Sequence, residues 1–158
     1  MKLSPDLNDA ISQQILMELH NMLVYKQIQS YFEDLQLKKL AAYFGNQADD
    51  EKSHADKFIQ YLNDRIGGKV SLGEVDSPMI TISDPASIGD IYVSLEEDTT
   101  VSIESIYELA LGNKSYIDLP FLQSMLFEQV SEEDEASEFA MKIKMVKDLV
   151  LFDATFGA

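Results

Sequence analysis

Apolar residues recur every three or four positions along most of the chain, which is the period of one buried face of an α-helix. The first such stretch runs from Leu7 to Phe32 without a glycine or proline inside it. Ser4 suits a helix N-cap, and Pro5 suits the first turn because its missing N–H needs no partner there. The pattern therefore predicts a first helix from this point to about Asp34.

A second helical pattern starts near Leu37 and ends at Gly67 and Gly68, a common signal for a helix C-terminus. The short join between the first two helices favours an antiparallel pair. Residues 69–85 differ, since they contain prolines, a glycine and several β-branched residues without a helical period. A long irregular segment in a compact domain is typical of a functional loop or a crossover, and we predict a crossover along the length of a bundle.

Two further helical patterns follow the crossover. The third helix is predicted from Pro85 to Gly112, and the fourth from about Ser115, with Pro120 tolerated in its first turns. The last apolar segment, residues 146–156, is too short to be a fifth full-length helix of the bundle. It is predicted as a short fifth helix or a capping segment. The chain is thus predicted to be all-α, a four-helix bundle with a long crossover between helices two and three and a short fifth helix.

Length and composition fit a single domain that spans residues 1–158. With 46% apolar residues, the 158-residue chain can bury a sizeable core but is too short for two comfortable domains. Acidic residues number 28 against 12 lysines and arginines, which gives a formal charge of -16. This charge disfavours nucleic acid and anionic membranes as partners and favours cations, although an acidic surface more often only promotes solubility.

The chain has no cysteine, which excludes disulfides, thiolate metal sites and thiol catalysis. Oxygen and imidazole ligands remain, and these suit hard or borderline ions such as iron and manganese. The first residues show no apolar core of a signal peptide, and no apolar run approaches the roughly 20 residues that span a bilayer. We therefore expect a soluble cytoplasmic protein.

Polar residues occupy positions near the middle of all four predicted helices, where the apolar face should continue. They are Glu18 in the first helix, Glu51 and His54 in the second, Glu96 in the third, and Gln129 and Glu132 in the fourth. His54 lies one turn after Glu51 on the same helical face. The coincidence on four helices predicts that these side chains meet inside the bundle.

An ionised carboxylate in a dry core is strongly destabilising unless it is paired or binds a metal. Lysine and arginine are scarce on these faces, so one or two divalent ions are the predicted compensation. The alternative is that the acids lie at the edge of each apolar face and are solvated. Tyr25, seven residues after Glu18, is either a core aromatic or a donor of a hydrogen bond or an electron to a metal centre.

The same residues stand in segments that resemble the bacterial non-haem ferritins over nearly the whole chain. The segments are Met17-Glu18-Leu19 followed by Tyr25, Ala48 to Ala55 with its Glu51-Lys52-Ser53-His54, Leu95-Glu96, Phe127 to Glu133, and Leu151-Phe152-Asp153 at the start of the fifth helix. A lone Glu-x-x-His is a weak motif, whereas the set is specific. Ferritin-like di-iron bundles also use inward-facing carboxylates from each helix.

The resemblance implies a ferroxidase centre that holds two irons. Glu18, Glu51 and His54 would hold the first iron, and Glu51 would bridge to the second. Glu96 and Glu132 would complete the second iron site. The implied ligands are therefore four glutamates and one histidine.

Other residues match supporting positions of the family. Gln129 would lie beside the second iron and bind an oxygen species or a water, and Tyr25 matches the tyrosine that supports the centre. Glu128 and Asp50 fall where some bacterial ferritins have a third, weaker iron site. Relatives with that site carry another acid where this chain has Ser131, so the chain departs from their pattern there.

Two departures bear on cofactors and on iron entry. Bacterioferritins carry a second Glu-x-x-His in the fourth helix and a haem-ligating methionine next to the second-helix glutamate. This chain has Gln129, Val130 and Glu132 in the fourth helix instead, and Lys52 beside Glu51. We therefore predict no haem. Leu119 and Leu122 stand near positions that are often acidic in other ferritins, which leaves Asp118 as the candidate for an iron-entry channel.

As a ferritin, the chain would oxidise Fe(II) to Fe(III) with dioxygen or peroxide. It would then deposit a ferric mineral inside a shell of twenty-four subunits, with neither nucleic acid nor a membrane as a partner. Two alternatives remain open at this point. One is a di-iron carboxylate oxidase that acts on an organic substrate, and the other is a non-catalytic helical-bundle scaffold whose buried acids are structural.

Overall fold

A computed structural model describes residues 1–157 of the chain, and five helices account for most of them. The helices are α1 (Pro5–Asp34), α2 (Lys38–Asp64), α3 (Ser87–Gly112), α4 (Leu119–Met145) and α5 (Leu149–Thr155). No strand occurs within residues 1–157, and none of these helices is long and apolar enough to cross a membrane. The prediction of an all-α four-helix bundle with a short fifth helix is confirmed.

A tight turn joins α1 to α2 and folds the second helix back along the first. Gln36 has a φ of 60°, in the left-handed region, and this closes the helix with two backbone hydrogen bonds. The Gln36 amide donates to the Glu33 carbonyl at 2.9 Å, and the Leu37 amide donates to the Phe32 carbonyl at 2.9 Å. The predicted antiparallel pairing of α1 and α2 follows from this turn.

The crossover between α2 and α3 runs along the outside of α1. Asn8 fixes its beginning, since the side-chain amide donates to the Lys69 carbonyl at 3.0 Å and its oxygen accepts from the Lys69 amide at 2.8 Å. Further along, the His20 ring lies 2.9 Å from the Asp76 carbonyl oxygen. Ile80 and Ile82 then pack against the bundle core. These contacts advance along α1 and agree with the predicted long crossover.

The start of α4 differs from the expected position near Ser115. The helix begins at Leu119 because residues 115–118 form a separate turn that a buried ion pair holds in place. Arg65 Nε donates to Asp118 Oδ1 at 2.6 Å, and the Asp118 side chain is fully buried. Pro120 then lies in the first turn of the helix, as the sequence predicts. Asp118 is therefore committed within the subunit, which contradicts its expected place in an iron-entry channel.

The buried apolar side chains form two clusters on either side of the polar middle of the bundle. The aromatic cluster is Val24, Tyr25, Ile28, Phe32, Leu37, Leu40, Ala41, Phe44, Ala48, Ile88, Tyr92, Ala136, Phe139 and Ile143. The aliphatic cluster is Leu3, Leu7, Ile11, Ile15, Ala55, Phe58, Leu62, Ile103, Ile106, Ala110, Leu122 and Met125. On each long helix, the polar residues that interrupt the apolar face lie between these two sets. The fold thus places one polar layer between two dry cores.

A glycine allows α3 and α4 to approach each other closely. A Cβ atom added to Gly89 would lie 2.7 Å from Ala140 Cα and 3.0 Å from Ala140 Cβ. Real Cβ atoms do not approach backbone atoms that closely, so a larger residue would push the helices apart. Gly89 therefore sets the separation of the two helices that carry Glu96 and Glu132.

Candidate metal centre

The polar layer brings together the side chains that the sequence predicts as ligands. Glu18, Glu51 and Glu96 are almost completely buried, with exposed fractions of 0%, 1% and 0%. His54 is also buried, and the Glu132 side chain is 15% exposed at the edge of the layer. The carboxylates therefore do not lie solvated at the margin of each helix, as the alternative interpretation required.

Glu18, Glu51 and His54 form the tightest group of the layer. One ligand atom from each of the three residues lies within 4.8 Å of the other two. The His54 Nδ1 atom is 3.9 Å from Glu18 Oε2 and 3.8 Å from Glu51 Oε1. These separations are too long for hydrogen bonds and suit ligand atoms that surround a common ion.

Two buried carboxylate oxygens of this group have no hydrogen-bond partner within the described residues. They are Glu18 Oε2 and Glu51 Oε2. A buried acceptor without a partner is destabilising, and a buried charge without a partner is more so. No lysine or arginine in residues 1–157 is within ion-pair distance of either carboxylate. Two oxygens and one imidazole nitrogen therefore fit a divalent cation with hard or borderline character.

Glu96 is held from two sides by neutral donors. The Tyr25 hydroxyl donates to Glu96 Oε1, and the Gln129 side-chain amide donates to Glu96 Oε2 at 3.2 Å. Gln129 also donates to the Thr100 hydroxyl at 3.3 Å. These contacts orient the Glu96 carboxylate, and neither donor carries a positive charge.

The second ring nitrogen of His54 faces α4. His54 Nε2 lies 3.3 Å from Glu128 Oε2 and 3.8 Å from Glu132 Oε1. Lys57 Nζ donates to the other Glu128 oxygen at 2.6 Å, so Glu128 is already paired and is 38% exposed. Asp50 is exposed on α2. The two residues expected for a third iron site thus lie at the rim of the layer, outside the buried group.

Burial and repulsion from neighbouring carboxylates raise the pKa values of Glu51, Glu96 and Glu132. Burial raises the pKa of Glu51 well above its usual range, and the neighbouring Glu18 raises it further. Burial likewise raises the pKa of Glu96, and burial with the charge of Glu96 raises the pKa of Glu132 to about 8. Raised pKa values favour the protonated forms of these acids in the absence of metal, and a bound cation would favour the ionised forms instead.

The sequence did not predict the residues that orient the Glu18 carboxylate by hydrogen bonds. Gln14 donates from its side-chain amide to Glu18 Oε1 at 2.9 Å, and the Ser102 hydroxyl donates to Gln14 Oε1 at 2.5 Å. Next along α1, Asn21 donates to the Thr99 hydroxyl at 2.9 Å. Gln14 precedes Glu18 by one helical turn, so its position on the same face was a usable signal.

Comparison with known proteins agrees with this geometry. The family model described as Ferritin-like domain matches residues 8–146. A chloroplastic ferritin-1 of Brassica napus is 33% identical over 146 residues, which cover 87% of this chain and 57% of the relative. A bacterial non-heme ferritin of Staphylococcus aureus is 28% identical and covers 99% of this chain and 96% of its own length. The chain thus spans little more than half of the plant protein and nearly all of the bacterial one.

Solved structures give the same result. An open pore ferritin from the hyperthermophilic archaeon Archaeoglobus fulgidus superposes with a TM-score of 0.91 at 27% identity, and the match covers 96% of this chain and 94% of that one. The family match, the full-length bacterial relative and the fold all confirm the resemblance to non-haem ferritins that the sequence predicts. The chain belongs to the ferritin family.

Proposed function

We propose that the chain is an iron-storage ferritin subunit with ferroxidase activity, which oxidises Fe(II) to Fe(III) and passes the product to a ferric mineral. The observation that supports this most directly is the pair of partnerless buried oxygens, Glu18 Oε2 and Glu51 Oε2, beside His54. A scaffold has no need of such a group, because buried acids without a counter-charge only destabilise it. An iron substrate would supply the missing positive charge.

In the proposed centre, Glu18, Glu51 and His54 bind the first Fe(II), and Glu51 bridges to a second Fe(II). Glu96 and Glu132 bind the second ion. The helices hold Glu18, Glu51, His54 and Glu96 in place before iron arrives, since each is buried near the middle of its helix. Hard carboxylate ligands stabilise Fe(III) relative to Fe(II), and this favours oxidation at the site.

The remaining polar residues have supporting roles in this proposal. Tyr25 orients Glu96 by its hydrogen bond, and Gln129 holds the other oxygen of Glu96 and borders the space for an oxygen species or water. Two Fe(II) ions give two electrons to dioxygen or peroxide. Glu128 and Asp50 would bind a third, weaker iron only after Glu128 leaves Lys57.

Assembly and storage belong to the same proposal. We infer a closed shell of twenty-four subunits, in which the excess of acidic residues supplies carboxylates on the inner surface for mineral growth. The fourth helix has Gln129, Val130 and Glu132 in place of a second Glu-x-x-His, and Lys52 stands beside Glu51, so the proposed centre works without haem. A cytoplasmic location stays a prediction of the sequence.

The proposal can be tested by anaerobic Fe(II) titration followed by addition of oxygen. We expect about two Fe(II) per subunit to be oxidised rapidly, as two inward-facing metal positions require. Glu51→Ala should abolish this phase, while Asp56→Ala, at an exposed position on the same helix, should retain it. Equal oxidation in wild type and Glu51→Ala would contradict the assigned centre. An organic product without mineral would instead support a di-iron oxidase, and a small particle in size-exclusion chromatography would argue against a shell.

A further inference from the structure

A polar cavity of about 430 Å³ lies where the crossover passes beside α1 and α3, and none of the proposed iron ligands lines it. One imidazole and three carboxylates line it, from His20 of α1, Glu74 and Asp76 of the crossover, and Asp98 of α3. Within residues 1–157, no lysine or arginine lies within ion-pair distance of these acids. The cavity therefore gathers negative charge that no basic side chain of this part of the chain balances.

The crossover holds the His20 ring in a form that can bind a cation. His20 Nδ1 lies 2.9 Å from the Asp76 carbonyl oxygen. A carbonyl oxygen only accepts hydrogen bonds, so Nδ1 is the donor, and Nε2 of the neutral ring keeps its lone pair. Histidines that bind metals usually have this arrangement, in which one ring nitrogen donates to a carbonyl or carboxylate and the other binds the ion.

Asn21 lines the same cavity and has a side-chain oxygen without a partner. The residue is fully buried, and within the described residues Oδ1 accepts no hydrogen bond. The Thr99 hydroxyl donates to the Leu95 carbonyl at 2.9 Å, so it can only accept from the Asn21 amide nitrogen, 2.9 Å away. Thr99 does not line the cavity. The amide therefore turns its nitrogen away from the cavity and its oxygen towards it, where a ligand would satisfy the buried acceptor.

We propose that this cavity binds a divalent cation of borderline hardness, such as zinc or Fe(II), through His20 Nε2 and the carboxylates of Glu74 and Asp98. Asn21 Oδ1 supplies a further oxygen from the buried side of the cavity. One imidazole with several oxygen donors suits such ions. The bound cation ties the crossover to α1 and α3. Since the site contains none of the proposed iron ligands, the inference does not depend on the ferroxidase function.

The cavity should bind a cation more weakly than the metal centre does. Ligand atoms of Glu18, Glu51 and His54 lie within 4.8 Å of one another before a metal binds, whereas the side chains around the cavity do not form such a group. Glu74 and Asp98 are exposed, so their side chains must close on the ion and lose conformational freedom as they do so. A zinc titration can therefore separate the two sites by affinity.

The site can be tested by zinc titration calorimetry in the double variant Glu18→Gln with Glu51→Gln, which removes the tighter site. We expect weaker zinc binding to remain and His20→Asn to reduce its affinity by at least about tenfold, because losing even an outer partner of a metal ligand weakens binding about 10–100-fold. Asparagine keeps a donor for the Asp76 carbonyl and removes Nε2. The test also works in wild type, where His20→Asn should abolish only the weaker of two binding phases.

Asp98→Asn and Glu97→Gln are a matched pair for the same titration. Each removes one negative charge from an exposed position of α3, but only Asp98 lines the cavity. We expect Asp98→Asn to weaken zinc binding as His20→Asn does and Glu97→Gln to leave it nearly unchanged. Equal weakening in the pair would mean diffuse attraction to an acidic surface and would overturn the site. Absence of a weaker binding phase from wild type would overturn it as well.

Hydrogen exchange tests the predicted link between the crossover and the helices. Zinc should slow amide exchange in residues 70–77, and His20→Asn should remove this protection. Exchange that zinc does not change in the parent protein would contradict the link. Rapid Fe(II) oxidation at the metal centre should persist in His20→Asn. Its absence from wild type would refute the proposed ferroxidase function and leave the cavity site standing, so the two failures are distinguishable.

Discussion

The bundle buries carboxylates in two places, which differ in whether the carboxylates have a cationic partner. Just before α4, Asp118 is completely buried and receives hydrogen bonds from Arg65 and Tyr61, which lie at the end of α2. In the polar layer, Glu18 and Glu51 are equally buried, but within residues 1–157 each keeps one oxygen without a partner, and the basic side chain that lies near them there is His54. The charge of Asp118 is thus balanced by arginine, whereas Glu18 and Glu51 have neither a lysine nor an arginine partner within residues 1–157.

The contrast shows that this fold is able to supply a buried carboxylate with a cationic partner, so the lack of one in the polar layer is a specific property of that layer. Asp118 is paired with Arg65 and has a purely structural role. The attraction within a buried pair of good geometry offsets the desolvation of its two charges. In the polar layer, the charge of Glu18 instead adds to burial in raising the pKa of Glu51. A site for an exchangeable cation requires this arrangement, since a permanent arginine would compete with the metal.

The largest effect is expected where the structural pair is broken. Asp118→Ala leaves the Arg65 guanidinium, whose side chain is 11% exposed, without its partner. We expect a loss of about 3–5 kcal/mol in the free energy of unfolding, as for other broken buried pairs. Denaturant unfolding measures it, with the exposed Asp64→Ala as the control. A loss below about 1 kcal/mol would show that the pair is not the stabilising contact described here.

The next effect should appear when a cation enters the polar layer. Zinc is divalent and redox-inactive, so it tests binding without oxidation. At about one hundred times its dissociation constant, it should stabilise the folded protein by about 2.7 kcal/mol. The double variant Glu18→Gln with Glu51→Gln should lose most of this gain, whereas Asp118→Asn should keep it. Thermal unfolding at fixed protein concentration, with and without zinc, measures the stabilisation in each variant. Equal stabilisation of the double variant and of Asp118→Asn would show that the polar layer does not bind zinc.

Neutralising one acid of the polar layer should have a smaller and opposite effect. Without metal, Glu51→Gln removes a carboxyl whose pKa burial raises, and the amide offers a donor to Glu18. We expect the metal-free protein to gain about 1 kcal/mol, while its zinc affinity falls. Calorimetric unfolding and zinc titration measure the two quantities on the same sample. Destabilisation by this substitution would mean that Glu51 makes a favourable contact in the metal-free state.

The smallest effect should be a pH dependence from Glu132. Its folded pKa is raised from the ordinary 4.5 to about 8, so the folded protein binds a proton that the unfolded chain has lost over this interval. The free energy of unfolding should therefore fall as pH rises from 4.5 to 8 in the absence of metal. Glu132→Gln should flatten this trend. Because the side chain is partly exposed, solvent screening keeps the change modest, and a rise in stability over this interval would contradict the raised pKa.

Helical periodicity was sufficient to predict the architecture and the burial of the polar residues near the middle of the helices. Glu18, Glu51, Glu96 and Gln129 stand on faces whose other residues are apolar, so burial followed from spacing alone. The start of α4 was missed because the contact that delays it joins Arg65 to Asp118, which are 53 positions apart. Local sequence carries no sign of such a pair.

The supporting contacts were harder to predict for a related reason. Gln14 and Ile15 both lie on the buried side of α1, and an apolar template selects only the isoleucine. The bond between Tyr43 and Tyr92 joins positions 49 apart, on helices that meet only in the folded bundle. Polar contacts between helices depend on register and rotamer, which composition and period do not determine.

The close approach at Gly89 has a consequence for the choice of metal. Glu96 lies two turns after Gly89 on α3, and Glu132 lies about two turns before Ala140 on α4, so the hydrogen atom at Gly89 limits how far apart these two carboxylates stand. Ions that differ in radius prefer different ligand distances. If Glu96 and Glu132 bind an ion as proposed, the helix separation at Gly89 influences which ion size they accept. Gly89→Ala, which adds one methyl group outside the coordination sphere, would then change this preference without altering any ligand.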